Sequence, residues 1–288
     1  MRTPISSVIP LFACLMTLTT EVAGQINTRP GHFRDRGAGV PGSVFATFIG
    51  RGQLLLYPFF AYSYDHNREY QPAKLGYGLN ADFRGRYRSA EEQLFVGYGL
   101  TDRLALEFEA GFIRATVDKA ANDTSATPVR IAESGFRDIE AQLRYRLVNE
   151  SDNRPEVFSY LEMTAPSQRQ KLLIGDLRWD FRPGIGVIRG FSWGTMMTRV
   201  TVEYNHDDKH WDLGEFSLEY LKRLSPAWRV NLGIEGGETG APDEWDLVTG
   251  VQWHLTDLVV LRFDNAYGLS SKATDWAPQI GLMFSFPK

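Results

Sequence analysis

The side chains that could do chemistry in this chain fall into two groups. The first is one dense cluster, His206-Asp-Asp-Lys-His210, whose imidazoles and carboxylates are donor types that a divalent cation takes. It sits in a strongly polar stretch, where a solvated loop is the plainer reading. The second group is larger and more regular. Acidic and basic side chains recur on alternating positions: Glu107 and Glu109; Glu140, Arg144 and Arg146; Arg178, Asp180 and Arg182; Arg199 and Glu203; Glu215, Glu219 and Arg223; Arg229 and Glu235; Asp246; Arg262 and Asp264. Residues two apart on an extended chain share a face, so each run puts its charges on one side. Such faces pair with neighbouring strands or line a polar path. Catalytic groupings are weak. Of the five histidines, His254 precedes a short turn with no serine in a nucleophile setting, and His32 and His66 stand isolated in loop segments. No Gly-rich phosphate loop or HExxH pattern is present. No cofactor, metal site or enzymatic activity is expected.

The elements that must carry these charges follow from the residues between them. Leu104, Leu106, Phe108, Ala110 and Phe112 frame Glu107 and Glu109, and Ile139, Ala141, Leu143, Tyr145 and Leu147 alternate with Glu140, Gln142, Arg144 and Arg146. The same period of two returns around Trp179, Phe216, Trp228, Val259 and Ile280. This is β alternation with one apolar and one charged face. From Gln53 onward the pattern predicts twelve strands, at 53–64, 91–100, 103–116, 135–148, 156–165, 175–188, 194–205, 213–224, 227–237, 244–254, 257–269 and 276–286. The segment 73–90 is read as an extension of the first two. Connections alternate between tight turns, such as Leu100-Thr-Asp-Arg103, Leu224-Ser-Pro-Ala227 and Leu255-Thr-Asp257, and longer polar stretches, such as 118–134 and 205–212.

Strand length decides which kind of β protein this is. Sandwich strands usually run to about five or six residues, whereas a membrane barrel needs about 9–11, with short turns on one side and long loops on the other. The barrel must also close, because an open edge in hydrocarbon leaves backbone groups unsatisfied. The expected fold is therefore an all-β antiparallel transmembrane barrel of about 12 strands, with short periplasmic turns and longer extracellular loops. Trp179, Trp193, Trp228, Trp245, Trp253 and Trp276 fall near strand ends, where interfacial girdles sit. Glycines within strands leave room inside a narrow barrel. The apolar face then meets lipid, and the charged face lines the lumen.

Composition agrees. The 288 residues are 43% hydrophobic and 13% aromatic with a net charge of −4, too aromatic for a disordered chain and of the wrong sign for a nucleic-acid partner. Mean hydropathy is −0.27, and the apolar run 54–62 is far shorter than the roughly 20 residues of a spanning helix. Met1-Arg-Thr-Pro, the apolar stretch Ile5 to Leu18 and the small residues before Gln25 read as a secretory signal over 1–24. The rival at that end is a lipidation box, Leu11-Phe-Ala-Cys14. Cys14 is the only cysteine, so a chain cleaved after Gly24 holds no disulfide. Residues 25–51 form an N-terminal periplasmic or lumen-plugging segment, rich in Gly, Pro and charge, and 52–288 form the barrel. If it folds inward, Arg34, Asp35 and Arg36 meet wall charges and the apolar stretch 44–49 is its ordered contact.

The last strand, with Gly281, Leu282, Phe284 and Phe286, resembles the C-terminal assembly signal of Gram-negative outer-membrane barrels, with Pro287-Lys288 as an addition after the aromatic. That resemblance implies a barrel-assembly partner. More narrowly, Tyr98-Gly-Leu-Thr-Asp-Arg103, the later Leu-Thr-Asp turn and the stretch from Trp276-Ala-Pro to Phe286 resemble the transporter-like phenol-degradation meta-pathway channel family. This implies a channel in the cell outer membrane. The leading expectation is a passive channel for small solutes through a narrow mixed-charge lumen, surrounded by outer-membrane lipid, with no strong ion-selective field because both signs occur on most strands. The alternatives are a barrel enzyme acting on envelope lipid, and a structural or surface-interaction barrel with a sealed lumen.

Overall fold

A computed structural model describes residues 48–168, 171, 173–175, 179–205, 209–237 and 244–286. The proposed signal, Cys14, His32, Arg34, Asp35, Arg36, Arg178 and His206 lie outside the described residues. Thirteen strands follow one another: β1 Leu54–Tyr70, β2 Phe83–Gly99, β3 Leu104–Asp118, β4 Arg130–Phe136, β5 Ile139–Val148, β6 Glu156–Ala165, β7 Asp180–Phe191, β8 Gly194–Asn205, β9 His210–Arg223, β10 Trp228–Gly236, β11 Trp245–His254, β12 Val259–Gly268 and β13 Trp276–Phe286. All strand pairings are antiparallel, β3 pairs with β2, β4 and β5, and β1 pairs with both β2 and β13, so the sheet closes on itself.

β4 and β5 are two halves of one wall strand. Both pair with β3, as Phe112↔Phe136 above and Glu109↔Glu140 below. The register changes by one residue between those pairs, which is a β-bulge at Arg137-Asp138. The barrel therefore has twelve wall positions. Strands 156–165, 194–205 and 276–286 lie where the alternation puts them. The first two strands run further, to Tyr70 and from Phe83, and rise past the aromatic belt marked by the pair Tyr64↔Trp276.

The outer surface explains the composition. Phe60, Leu94, Phe108, Phe181, Ile185, Ile234, Phe263 and Ile280 are exposed around the wall. Soluble monomers rarely expose apolar patches beyond a few hundred Å², so a belt that encircles the molecule needs lipid against it. Rings edge it at both ends. Trp193 stacks on Tyr220 at 5.6 Å and Trp228 on Trp253 at 5.4 Å on the short-turn side. Trp276 packs edge-on to Tyr62 at 6.3 Å on the other.

One expectation needs correction. Alternation assigns apolar residues to lipid and charge to the lumen, but near the short-turn end the inner face is apolar too. Phe48, Ile49, Leu55, Tyr57, Phe95, Ala105, Val260 and Met283 form one buried cluster there. Phe158, Tyr160, Ile188, Met197 and Leu221 form another. A narrow barrel fills its own interior with side chains, and apolar groups fill it without needing partners. Glycines make the room. A Cβ on Gly97 would meet Ile49 Cδ1 at 2.2 Å, and one on Gly186 would meet Phe158 Cζ at 2.2 Å.

Candidate functional site

Above that apolar packing the inner face turns polar and opens into a chamber of about 690 Å³ towards the long loops. Two arginine-centred knots organise it. On one side the bulge at Arg137 breaks the alternation and turns its guanidinium inward. There it meets Glu140 at 2.7 Å, Glu91 at 3.2 Å and Glu109 at 3.5 Å, which come from β5, β2 and β3. On the other side Glu215 of β9 bridges Arg182 of β7 and Arg199 of β8, each at 3.0 Å. Arg182 also faces Asp180, Glu162 at 3.6 Å and Glu203 at 3.9 Å. Glu235 and Asp246 line the remaining arc.

Below the chamber the described inward side chains pack against one another. Arg144 bonds Glu107 at 3.1 Å, with side chains only 1% and 4% exposed, and its guanidinium lies 5.4 Å over the Phe158 ring. Arg262 bonds Asp264 at 3.1 Å and sits 5.4 Å over Tyr57. Arg146 covers the Phe48 ring at 3.8 Å and reaches Glu156 at 3.4 Å. Arg229 donates to His254 Nε2 at 2.5 Å. Gln252 and Ser285 are fully buried beside them. Phe48 and Ile49 enter this floor because the chain before β1 runs along the inner face of β2, where Gly52 donates to the Gly99 carbonyl at 2.7 Å.

Of the residues marked by charge alternation, Glu109, Glu140, Arg182, Arg199 and Glu235 line the chamber. Glu107, Arg144, Arg146, Arg229, Arg262 and Asp264 belong to the floor. Glu203 reaches the Arg182 knot. Glu219 pairs in register with Gly233, and Arg223 with Arg229, towards the short-turn end. Gly281, Leu282, Phe284 and Phe286 lie in β13, where a Cβ on Gly281 would strike Phe59 and Tyr57. Arg137, Glu91 and Glu162 were not marked in advance.

Both signs are present in the chamber, in unequal number. Among the described residues the chamber is lined by nine carboxylates and four guanidinium groups. In the floor, by contrast, Arg144, Arg146 and Arg262 are each matched by a carboxylate: Glu107, Glu156 and Asp264. At the mouth, outside the membrane, Asp118 accepts from Arg130 Nε at 2.6 Å and Arg86 Nε at 2.9 Å. The hydrogen bond from Arg130 in particular, with that from Arg86, holds its carboxyl below the ordinary aspartate range.

A closed antiparallel barrel with a lipid-facing apolar belt, short turns at one end and long loops at the other is the fold of a Gram-negative outer-membrane β-barrel. One solved structure shares this fold. An outer membrane channel from Pseudomonas putida F1 superposes with a TM-score of 0.59 and 16% identity, over 85% of this chain and 99% of that one. The KdgM porin gives 0.49 and 7% identity, over 80% and 99%. The translocator domain of the autotransporter NalP from Neisseria meningitidis gives 0.49 and 10%, over 82% and 89%. At these identities the likeness to the Pseudomonas channel is one of fold. No family model and no curated protein matches the chain.

Proposed function

We propose that this barrel is an outer-membrane channel for small solutes, entered from the extracellular side, with a preference for cations and for small cationic or hydrogen-bonding molecules. The observation that carries this reading is the carboxylate surplus around the chamber. In a low-dielectric enclosure a surplus of one sign raises the local concentration of the other. The floor is then the gate: its ion pairs and the Phe48-Ile49 contact must shift for a solute to pass, and residues 25–51 act as the constricting segment. The fold shared with an outer membrane channel supports transport over hydrolysis. His254, one of the histidines a barrel hydrolase would need, is hydrogen-bonded to Arg229. The outward residues of β13, ending at Phe286, are the segment the assembly machinery would read.

A second reading, a sealed barrel that works through its loops, draws on the burial of Arg144, Gln252 and Ser285. Planar-bilayer recording separates the two. A channel gives unitary steps whose reversal potential in a salt gradient lies on the cation side, and a Glu91→Gln/Glu235→Gln/Asp246→Asn variant moves it towards zero. Absence of steps, including in a variant with 25–51 removed, overturns the channel reading in favour of the sealed one.

A further inference from the structure

We propose a divalent transition-metal site of the zinc type on the extracellular rim, formed by Asp65, His66 and Asp275, which clips the first strand of the barrel to the last. The three offer ligand atoms that lie within 4.8 Å of one another. A tetrahedral zinc with ligand bonds of about 2.0–2.2 Å separates its ligand atoms by about 3.4 Å, so small side-chain rotations suffice.

The local backbone explains how neighbours in sequence come to share a site. Adjacent residues of a regular strand point to opposite faces. Here the β1–β2 register shifts between Asp65 and Arg68, and a bulge re-aims side chains. His66 is thereby swung from the isolated loop position read from the sequence onto the carboxylate of Asp275. Its imidazole Nδ1 and its backbone N–H both contact Asp275 Oδ2, the latter at 2.8 Å.

The second observation is a charge without a counter-ion. Asp65 is only 3% exposed. One of its oxygens accepts from the Asn67 N–H at 2.7 Å, and among the described residues the carboxylate makes no ion pair. The Arg68 guanidinium lies over the Tyr87 ring at 5.8 Å. A buried carboxylate facing a second one is costly unless a cation joins them. Two carboxylates and an imidazole select a first-row divalent ion over calcium, which takes six to eight oxygens.

The position gives such an ion a task. Along the β1–β13 closure the ladder breaks at Pro58 and again at Pro278, residues with no N–H to donate. The upper break lies between the pairs Ala61↔Gln279 and Tyr64↔Trp276, directly below the cluster. A metal held by Asp65 and His66 on one strand and Asp275 before the other would close the end of that seam.

The test uses the full chain folded in detergent micelles, produced without a histidine tag, and titrated with zinc chloride. The expected result is one equivalent bound, with X-ray absorption showing one imidazole and oxygen ligands, and a thermal unfolding midpoint raised by zinc. His66→Ala and Asp275→Asn each weaken binding by about tenfold or more and abolish the shift, while His206→Ala/His210→Ala leaves both unchanged. His66 is 67% exposed at its side chain, so its alanine variant tests the site without a burden on folding. Binding that survives His66→Ala, that disappears with the His206/His210 variant, or that is absent at one equivalent overturns the proposal, as does calcium binding in preference to zinc.

Discussion

Replacing Arg144 by Met isolates the buried pair in the floor. The guanidinium is 3.1 Å from Glu107, where two unit charges attract by about 5 kcal/mol at an effective dielectric of about 20. Desolvation of both groups offsets most of that attraction, so the intact pair contributes little net stability. Removing one partner is different: Glu107 stays in a dry interior without its cation, and the expected loss is about 3–5 kcal/mol. With a urea slope of about 2–3 kcal/mol per M, the midpoint falls by about 1 to 2.5 M. The Arg144→Met/Glu107→Leu double variant recovers most of the loss, because no charge is then left unpaired. Urea unfolding of vesicle-reconstituted protein, followed by tryptophan emission, reads all four corners of the cycle. If Arg144→Met costs less than about 1 kcal/mol, or if the double variant loses as much as the two single changes together, the floor is wet and the argument for a closed lumen fails.

Three further outcomes follow from the same geometry. Gly97→Leu puts side-chain atoms where Ile49 now sits, the Cβ alone falling 2.2 Å from its Cδ1; unitary conductance in planar bilayers should rise, and an unchanged value would remove Ile49 from the gate. Gly186→Ala strikes the Phe158 ring at 2.2 Å and should cost about 1–3 kcal/mol by overpacking, measured by urea unfolding, with conductance selectivity unaltered. The clamp of Arg130 and Arg86 on Asp118 gives a pH dependence at the mouth. Because the folded carboxyl lies below its ordinary value, its stabilising effect is complete above about pH 4 and is lost as pH falls through the folded value. Hydrogen exchange in residues 119–129 should therefore quicken in that acid range, and the Asp118→Asn variant should show the faster exchange already at neutral pH.

What could be read in advance was the wall. Period-two alternation locates a strand wherever its two faces differ, so Gly194–Asn205 and Trp276–Phe286 were legible to the residue. It fails where the faces agree. The run 54–60, Leu-Leu-Leu-Tyr-Pro-Phe-Phe, is apolar throughout, and nothing in it tells Leu55 and Tyr57, which pack inside, from Leu56 and Phe60, which face out. Arg137 was missed because the bulge shifts parity at that residue alone. Glu162 was missed because its neighbours on β6, Tyr160 and Leu161, show no charge period. Glu91 fell at the edge of a strand that proved to begin at Phe83. Which charges share the chamber and which the floor depends on strand tilt and stagger, which no single strand encodes.

The asymmetry between an open chamber and a closed floor separates two properties that a straight pore would tie together. A vestibule that opens on one compartment equilibrates with that compartment alone, so its occupancy follows the solution outside the cell and is blind to the periplasm until the floor moves. In the proposed channel, what is held there would depend on the side chains around Arg137 and Glu215, and how often it passes on Arg144, Arg262 and Ile49. Affinity and throughput would then be set by different residues, at different depths, and each could change without altering the other.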